Sequence, residues 1–176
     1  MIVKILRQVL RFLFLVGLQV ALFNHIQWSG YVNPYVYIVF ILLLPVETPK
    51  WLLLIIALIT GLTIDMFGSS GGMHAAATVC MAFARPSILK LISPRDGYEA
   101  DTRLSPQVMG FKWFITYLTF MVIIHHVLYF YVEVFRFNEF FITLFKALLN
   151  SAITIAIIII GEYLFGQSKG NARFIR

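Results

Sequence analysis

Long apolar stretches separated by short polar breaks dominate the chain. Their lengths approach the roughly 20 residues that an α-helix needs to cross a bilayer. The pattern predicts six such spans, at about 9–28, 33–46, 49–67, 73–92, 111–132 and 140–165. The first ends in Asn24, His25, Gln27 and Trp28, whose indole suits a membrane interface. The second opens on Asn33-Pro34 and the third on Thr48-Pro49, each a capping residue followed by proline at the first helical position. Pro45 stops the second, which is the shortest. The glycine-rich turn Gly68–Gly72 separates the third from the fourth, and Gly166 closes the sixth. The connections are short, so neighbouring helices run antiparallel. The exception is the mixed-charge segment 93–110, read as a solvated cytoplasmic linker or, alternatively, as a docking surface for a cytoplasmic partner. No repeat or low-complexity tract appears, and residues 1–176 read as one polytopic membrane domain.

Composition agrees with the pattern. Of 176 residues, 60% are hydrophobic and 12% charged, and the mean hydropathy is +0.87. Soluble domains carry about 25% charged residues, and a domain of this size leaves roughly a third of its unfolded surface exposed. That much apolar surface needs lipid as its solvent. The net charge of +6 reflects the placement of basic residues and does not call for nucleic acid. With six spans and the N-terminus inside, twelve of the 14 Lys and Arg fall on the cytoplasmic side, leaving Arg136 and Lys146 opposite. Both termini are therefore expected in the cytoplasm. Lys4, Arg7 and Arg11 precede the first apolar run without a small-residue cleavage site, so that run reads as an uncleaved helix. The single cysteine, Cys80, excludes an internal disulfide and reads as a small buried filler.

Ionisable groups inside spans are costly and draw functional attention. Asp65, at the end of the third span, and Lys146, about two turns into the sixth, lie at similar depth and are expected to form an interhelical ion pair, the alternative being that each reaches the outer interface separately. Thr143, Lys146 or Ala147, Asn150 and Thr154 recur at intervals of three and four and place one polar face toward the bundle. Gly72, Ala76, Cys80 and Ala84 form a ridge of small residues on the fourth span, flanked by Ala75 and Ala77, suited to close helix packing. His125 and His126 point about 100° apart on one helix, which favours hydrogen bonding over metal ligation. His74 reads as exposed at the outer interface, and Glu47 and Glu162 as solvated helix ends. No serine–histidine–aspartate, HExxH, paired-cysteine or P-loop pattern occurs, so neither catalysis nor a metal or cofactor is expected.

The stretch Gly61-Leu-Thr-Ile-Asp65-Met-Phe67-Gly-Ser-Ser-Gly-Gly72-Met-His-Ala75-Ala76-Ala77 resembles the signature region of the rod shape-determining protein MreD family, particularly its Bacteroidetes versions. Leu18-Gln19, Asn33-Pro34 and Arg85-Pro86 look like the same family. The resemblance implies a non-enzymatic inner-membrane subunit of the bacterial cell-elongation machinery. Its partners would be an MreC-like single-span protein, the MreB filament, RodA and a class B penicillin-binding transpeptidase. It also implies a six-helix fold similar to the substrate-binding subunit of energy-coupling-factor transporters. Gly61, Asp65, Phe67, Gly72 and Ala75–Ala77 would then form the signature corner at the outer face, and segment 93–110 the contact for the filament. The same fold analogy permits a second reading, a substrate-binding subunit of a vitamin or small-solute transporter. Such a site needs convergent polar groups near the midplane. Gln19, Thr60 and Asn150 are the candidates to line it, although Ile153–Ile160 is almost wholly apolar.

Overall fold

The computed structural model describes all residues except 1, 26–31, 100–101, 136 and 166–176. Gln27, Trp28, Arg136 and Gly166, with the basic residues Lys169, Arg173 and Arg176, lie outside the described residues. Among the described residues the chain is 80% helical and without strands. In order come α1 (Ile2–Ala21), a 3-10 turn (Val36–Ile38) running into α2 (Val39–Leu42), α3 (Lys50–Gly68), α4 (Met73–Leu91), α5 (Pro106–Met109), α6 (Phe111–Val134) and α7 (Phe140–Phe165). The helix α3 packs on α4, α4 on α6 and α6 on α7, while α1 lies across the 36–42 segment and α3.

Three of these helices are long and apolar enough to cross a membrane: Lys50–Gly68, Phe111–Val134 and Phe140–Leu164. The distribution of side chains is the reverse of a soluble protein's. Trp51, Ile59, Phe67, Phe141, Phe145 and Leu164 face outward, whereas Gln19, Thr78, Arg85, His125, His126, Asn150 and Thr154 are buried. Apolar groups outside and polar groups inside minimise cost only when the surroundings are hydrocarbon. This is an all-α membrane protein.

The largest departure from the expected spans is the second. Residues 33–46 do not form one helix. Tyr35 is extended (φ −106°, ψ 81°), and the helical part is the seven residues Val36–Leu42. These rise about 12 Å, less than half of a hydrocarbon core of roughly 30 Å. Yet every residue from Pro34 to Leu42 is buried, so the segment threads the interior as a partly irregular strand of chain. Irregular backbone at membrane depth persists only when enclosed by protein that satisfies its polar groups. The helix α1 also begins earlier than expected, at Ile2, because the apolar residues between its basic ones continue the helix. The end of segment 93–110 is docked rather than solvated. Leu104, Ser105 and Pro106 are buried, Tyr98 donates to the Leu89 carbonyl at 2.8 Å, and the Trp113 indole donates to the Ile92 carbonyl at 2.8 Å.

Candidate functional site

The α3–α4 corner is built from one carboxylate and one glycine. Asp65 is 7% exposed and takes three hydrogen bonds from the turn and helix that follow it. Its Oδ1 accepts from the Ser70 hydroxyl and from the His74 N–H at 3.0 Å, and its Oδ2 from the Ala75 N–H at 2.9 Å. These are first-turn N–H groups of α4, which have no partner within the helix. A negative charge there also complements the helix dipole. Gly72, which precedes α4, sits at φ +93° and has no side chain to cap it, so the cap is supplied from α3. The turn can fold back this far because Ser69, Gly71 and Gly72 all take positive φ. One turn below Asp65, Gly61 meets α4 backbone to backbone. A Cβ at this position would lie 2.3 Å from the Ala75 Cα and 2.8 Å from the His74 carbonyl oxygen.

The expected Asp65–Lys146 ion pair does not form. Both oxygens of Asp65 are committed to the corner, while Lys146 lies within electrostatic range of Glu133. Asp65→Ala is expected to lower stability by roughly 3 kcal/mol, since bonds to a charged acceptor contribute about 1.5–3 kcal/mol each and neighbouring ones are not additive. The check is a melting curve in detergent together with two double-mutant cycles. Asp65 should couple to Ser70 and show no coupling to Lys146; the reverse pattern would restore the ion pair.

A second constellation holds the buried 33–45 segment. The Gln19 carbonyl oxygen accepts from the N–H groups of Val36 (2.8 Å) and Tyr37 (3.3 Å), and its amide donates to the Pro34 carbonyl at 3.2 Å. On α7, Asn150 Oδ1 accepts from the Asn33 N–H, and Thr154 Oγ1 accepts from the Tyr35 N–H at 3.2 Å. At the other end, Tyr117 donates to the Leu42 carbonyl at 3.1 Å, and Arg85 donates through Nη2 to the Leu44 carbonyl and through Nε to Tyr117 at 2.9 Å. Arg85 is 1% exposed. A cation at the C-terminal carbonyls of α2 is favourable on the same dipole grounds as Asp65 at the opposite kind of end. The N–H groups at the start of the segment and the carbonyls at its end are therefore served by side chains from α1, α4, α6 and α7.

Between these constellations lies a tyrosine–histidine network. The Thr78 hydroxyl donates to the His74 carbonyl at 2.6 Å, so its oxygen accepts from Tyr37 at 3.0 Å. The Tyr37 oxygen then accepts from His74 Nδ1 at 3.1 Å and His125 Nε2 at 2.7 Å. His126 donates Nδ1–H to the Val122 carbonyl at 2.9 Å, leaving Nε2 to accept from the Thr154 hydroxyl at 3.1 Å. His126 is neutral in this scheme, its Nδ1 donating and its Nε2 accepting. His125 Nδ1 is left buried without a partner. The Tyr35 ring fills the space among His74, His126 and Tyr129, with centroids 4.9, 5.3 and 4.8 Å away. Beside it a polar pocket of about 280 Å³ opens between Asn24, Asn33, Tyr35, Ser70, His74 and Tyr129.

Other anticipated positions fall as follows. His74 is 5% exposed, not solvent-facing, because the turn folds its helix start back over Asp65. Ala75 and Ala77 are buried against neighbouring helices. Ala76 faces outward, with Gly72, Cys80 and Ala84 part-exposed beside it, so the small-residue ridge is not the face that packs within the chain. Phe67 is 63% exposed on the pocket rim. On α7, Thr143, Ala147, Asn150 and Thr154 are all buried. Glu47 is exposed and Glu162 half-buried. Among the described residues no three His, Cys, Asp or Glu side chains converge on a point that would hold a metal ion. The roles of Tyr37 and Tyr117 had no sequence signal beyond a hydroxyl in an apolar run.

No protein-family model, curated protein or solved structure matches this chain.

Proposed function

We propose that this protein is a non-enzymatic scaffold subunit of the bacterial cell-elongation machinery, resident in the inner membrane and binding an MreC-like single-span partner. In this reading α1, the buried 33–45 segment, α3, α4, α6 and α7 make six passes, with both termini cytoplasmic and Arg85 near the cytoplasmic end of α4. The observation that carries the proposal is the outward ridge of α4. Gly72, Ala76, Cys80 and Ala84 leave a smooth strip on the outside of the bundle, and small residues let another membrane helix approach closely. Beside it Phe83 is 75% exposed, giving an incoming helix an apolar edge. Further support comes from the interior. Gln19, Thr60 and Asn150, the polar groups that would line a solute cavity, are spent on the chain's own backbone.

Gentle-detergent co-purification of the tagged protein with Ala76→Phe as the comparison tests this directly. Wild type should recover an MreC-like protein, and the variant should recover at least about fivefold less at an unchanged melting temperature, because Ala76 is exposed on the outside of α4. Equal recovery from both would remove the ridge as the contact. The alternative reading, a solute-binding transport subunit, rests on the polar pocket beside Tyr35 and His74. Recovery of an ATPase pair with a coupling subunit would decide for it.

A further inference from the structure

A groove of about 710 Å³ runs between α1 and α3, floored by residues 40–45 of the buried segment. Its depth is apolar: Phe12, Phe40, Leu52, Ile56 and Ile59 line it. From Leu52 to Thr60 its α3 wall extends about 12 Å at 1.5 Å per residue. Its end at the starts of α1 and α3 is different in kind. Three guanidinium groups, those of Arg7, Arg11 and Arg103, border it there. Arg7 and Arg103 lie within electrostatic range of Arg11, so like charges crowd the mouth, with Glu162 as one carboxylate near Arg11 and Arg103. Arg11 reaches the Gln8 amide oxygen and the Leu43 carbonyl only at 3.5 Å, the long limit of a hydrogen bond.

We infer that this groove binds one anionic phospholipid, with an acyl chain along α3 and its phosphate on the arginines. An apolar slot open to the side of a membrane protein fills with hydrocarbon, which argues for a lipid tail. A cluster of guanidinium groups where the slot meets the polar interface selects the headgroup. Guanidinium matches phosphate oxygens in bidentate geometry, and each basic residue near an anionic headgroup contributes about a fivefold gain in binding. A partner's transmembrane helix is the competing occupant. It would need small residues on the walls to approach closely, whereas these walls are Phe, Leu and Ile. The lipid would brace α1, which otherwise meets α3 through few contacts, against the buried segment whose backbone Gln19 holds.

The test is native mass spectrometry of the delipidated full-length protein with phosphatidylglycerol or phosphatidylcholine of identical chains. One phosphatidylglycerol should bind at least about 25-fold more tightly than phosphatidylcholine and raise the melting temperature. In Arg7→Gln/Arg11→Gln that preference should fall by roughly 25-fold, the product of two fivefold steps. Ile59→Trp, which fills the groove without touching the arginines, should weaken both lipids equally. Circular dichroism confirms that each variant is folded, and a misfolded double variant is replaced by the single Arg7→Gln, with a fivefold loss expected. Equal binding of the two lipids, or full phosphatidylglycerol binding by Ile59→Trp, overturns the inference.

Discussion

Replacing Gly61 with alanine is expected to separate α3 from α4 and to lower stability in detergent by roughly 3 kcal/mol or more, the upper range for overpacking a filled interior. The new methyl carbon would sit 2.3 Å from the Ala75 Cα and 2.6 Å from its nitrogen, distances that no rotamer change can relieve because the obstacle is main chain. Two controls make the result specific. Gly17→Ala on α1 and Gly161→Ala on α7 meet nothing within 4 Å, so the same chemical change there should be neutral or slightly stabilising, as alanine is the better helix former by about 0.5–1 kcal/mol. Ala75→Gly should fail to rescue Gly61→Ala, because it removes a Cβ that the clash does not involve. Rescue would show that side-chain volume, not backbone approach, sets the spacing. The separation should also propagate to Asp65 one turn along, since its hydrogen bonds to Ala75 and His74 require α4 at its present distance.

Gln19→Leu should be comparably damaging, although leucine is close in volume and far more soluble in lipid. It would strip a partner from the N–H groups of Val36 and Tyr37 and from the Pro34 carbonyl. A buried polar group left unpaired costs about 1–3 kcal/mol, so the summed loss over three groups is on the order of 3–9 kcal/mol before relaxation. Gln19→Glu should recover part of it, since a carboxylate still accepts from both N–H groups while losing the bond to Pro34. A melting-temperature series ordered wild type, Glu, Leu is the expected outcome. A Leu variant as stable as wild type would show that the segment finds other partners and that Gln19 is dispensable.

Much of this arrangement was legible in the sequence, and the limits are physical. The helices α3, α4, α6 and α7 were readable because each apolar run is bounded by a proline, a glycine or a polar break. The 33–45 segment was not, because Asn33-Pro34 is an ordinary helix start and a short apolar run has the same composition as a helix or as threaded chain. What decides between them is whether distant side chains can serve its backbone, and Asn150 and Thr154 lie more than a hundred residues away. Asp65 stood out as a charge in an apolar stretch, but two of its three partners are main-chain N–H groups, which look alike at every position of a sequence. The α4 ridge shows a related ambiguity. A four-residue spacing establishes a stripe but not whether it faces the bundle or the outside, and in lipid both faces tolerate small residues. His74 was placed at the surface from its nearness to a turn, and the fold-back of that turn buries it.

The dependence of residues 33–45 on later parts of the chain has a consequence for how the protein is made. At the ribosome, α1 and this segment emerge well before Tyr117, Asn150 and Thr154 exist. Until then the N–H groups of Asn33 and Tyr35 and the carbonyl of Leu42 lack the partners they have in the finished protein. Bare backbone cannot rest in hydrocarbon, so the segment cannot take its final place when first synthesised. On the proposed six-pass arrangement its insertion comes late, and a nascent chain halted after α4 should still hold residues 33–45 at the membrane surface, open to proteases and to labelling from water.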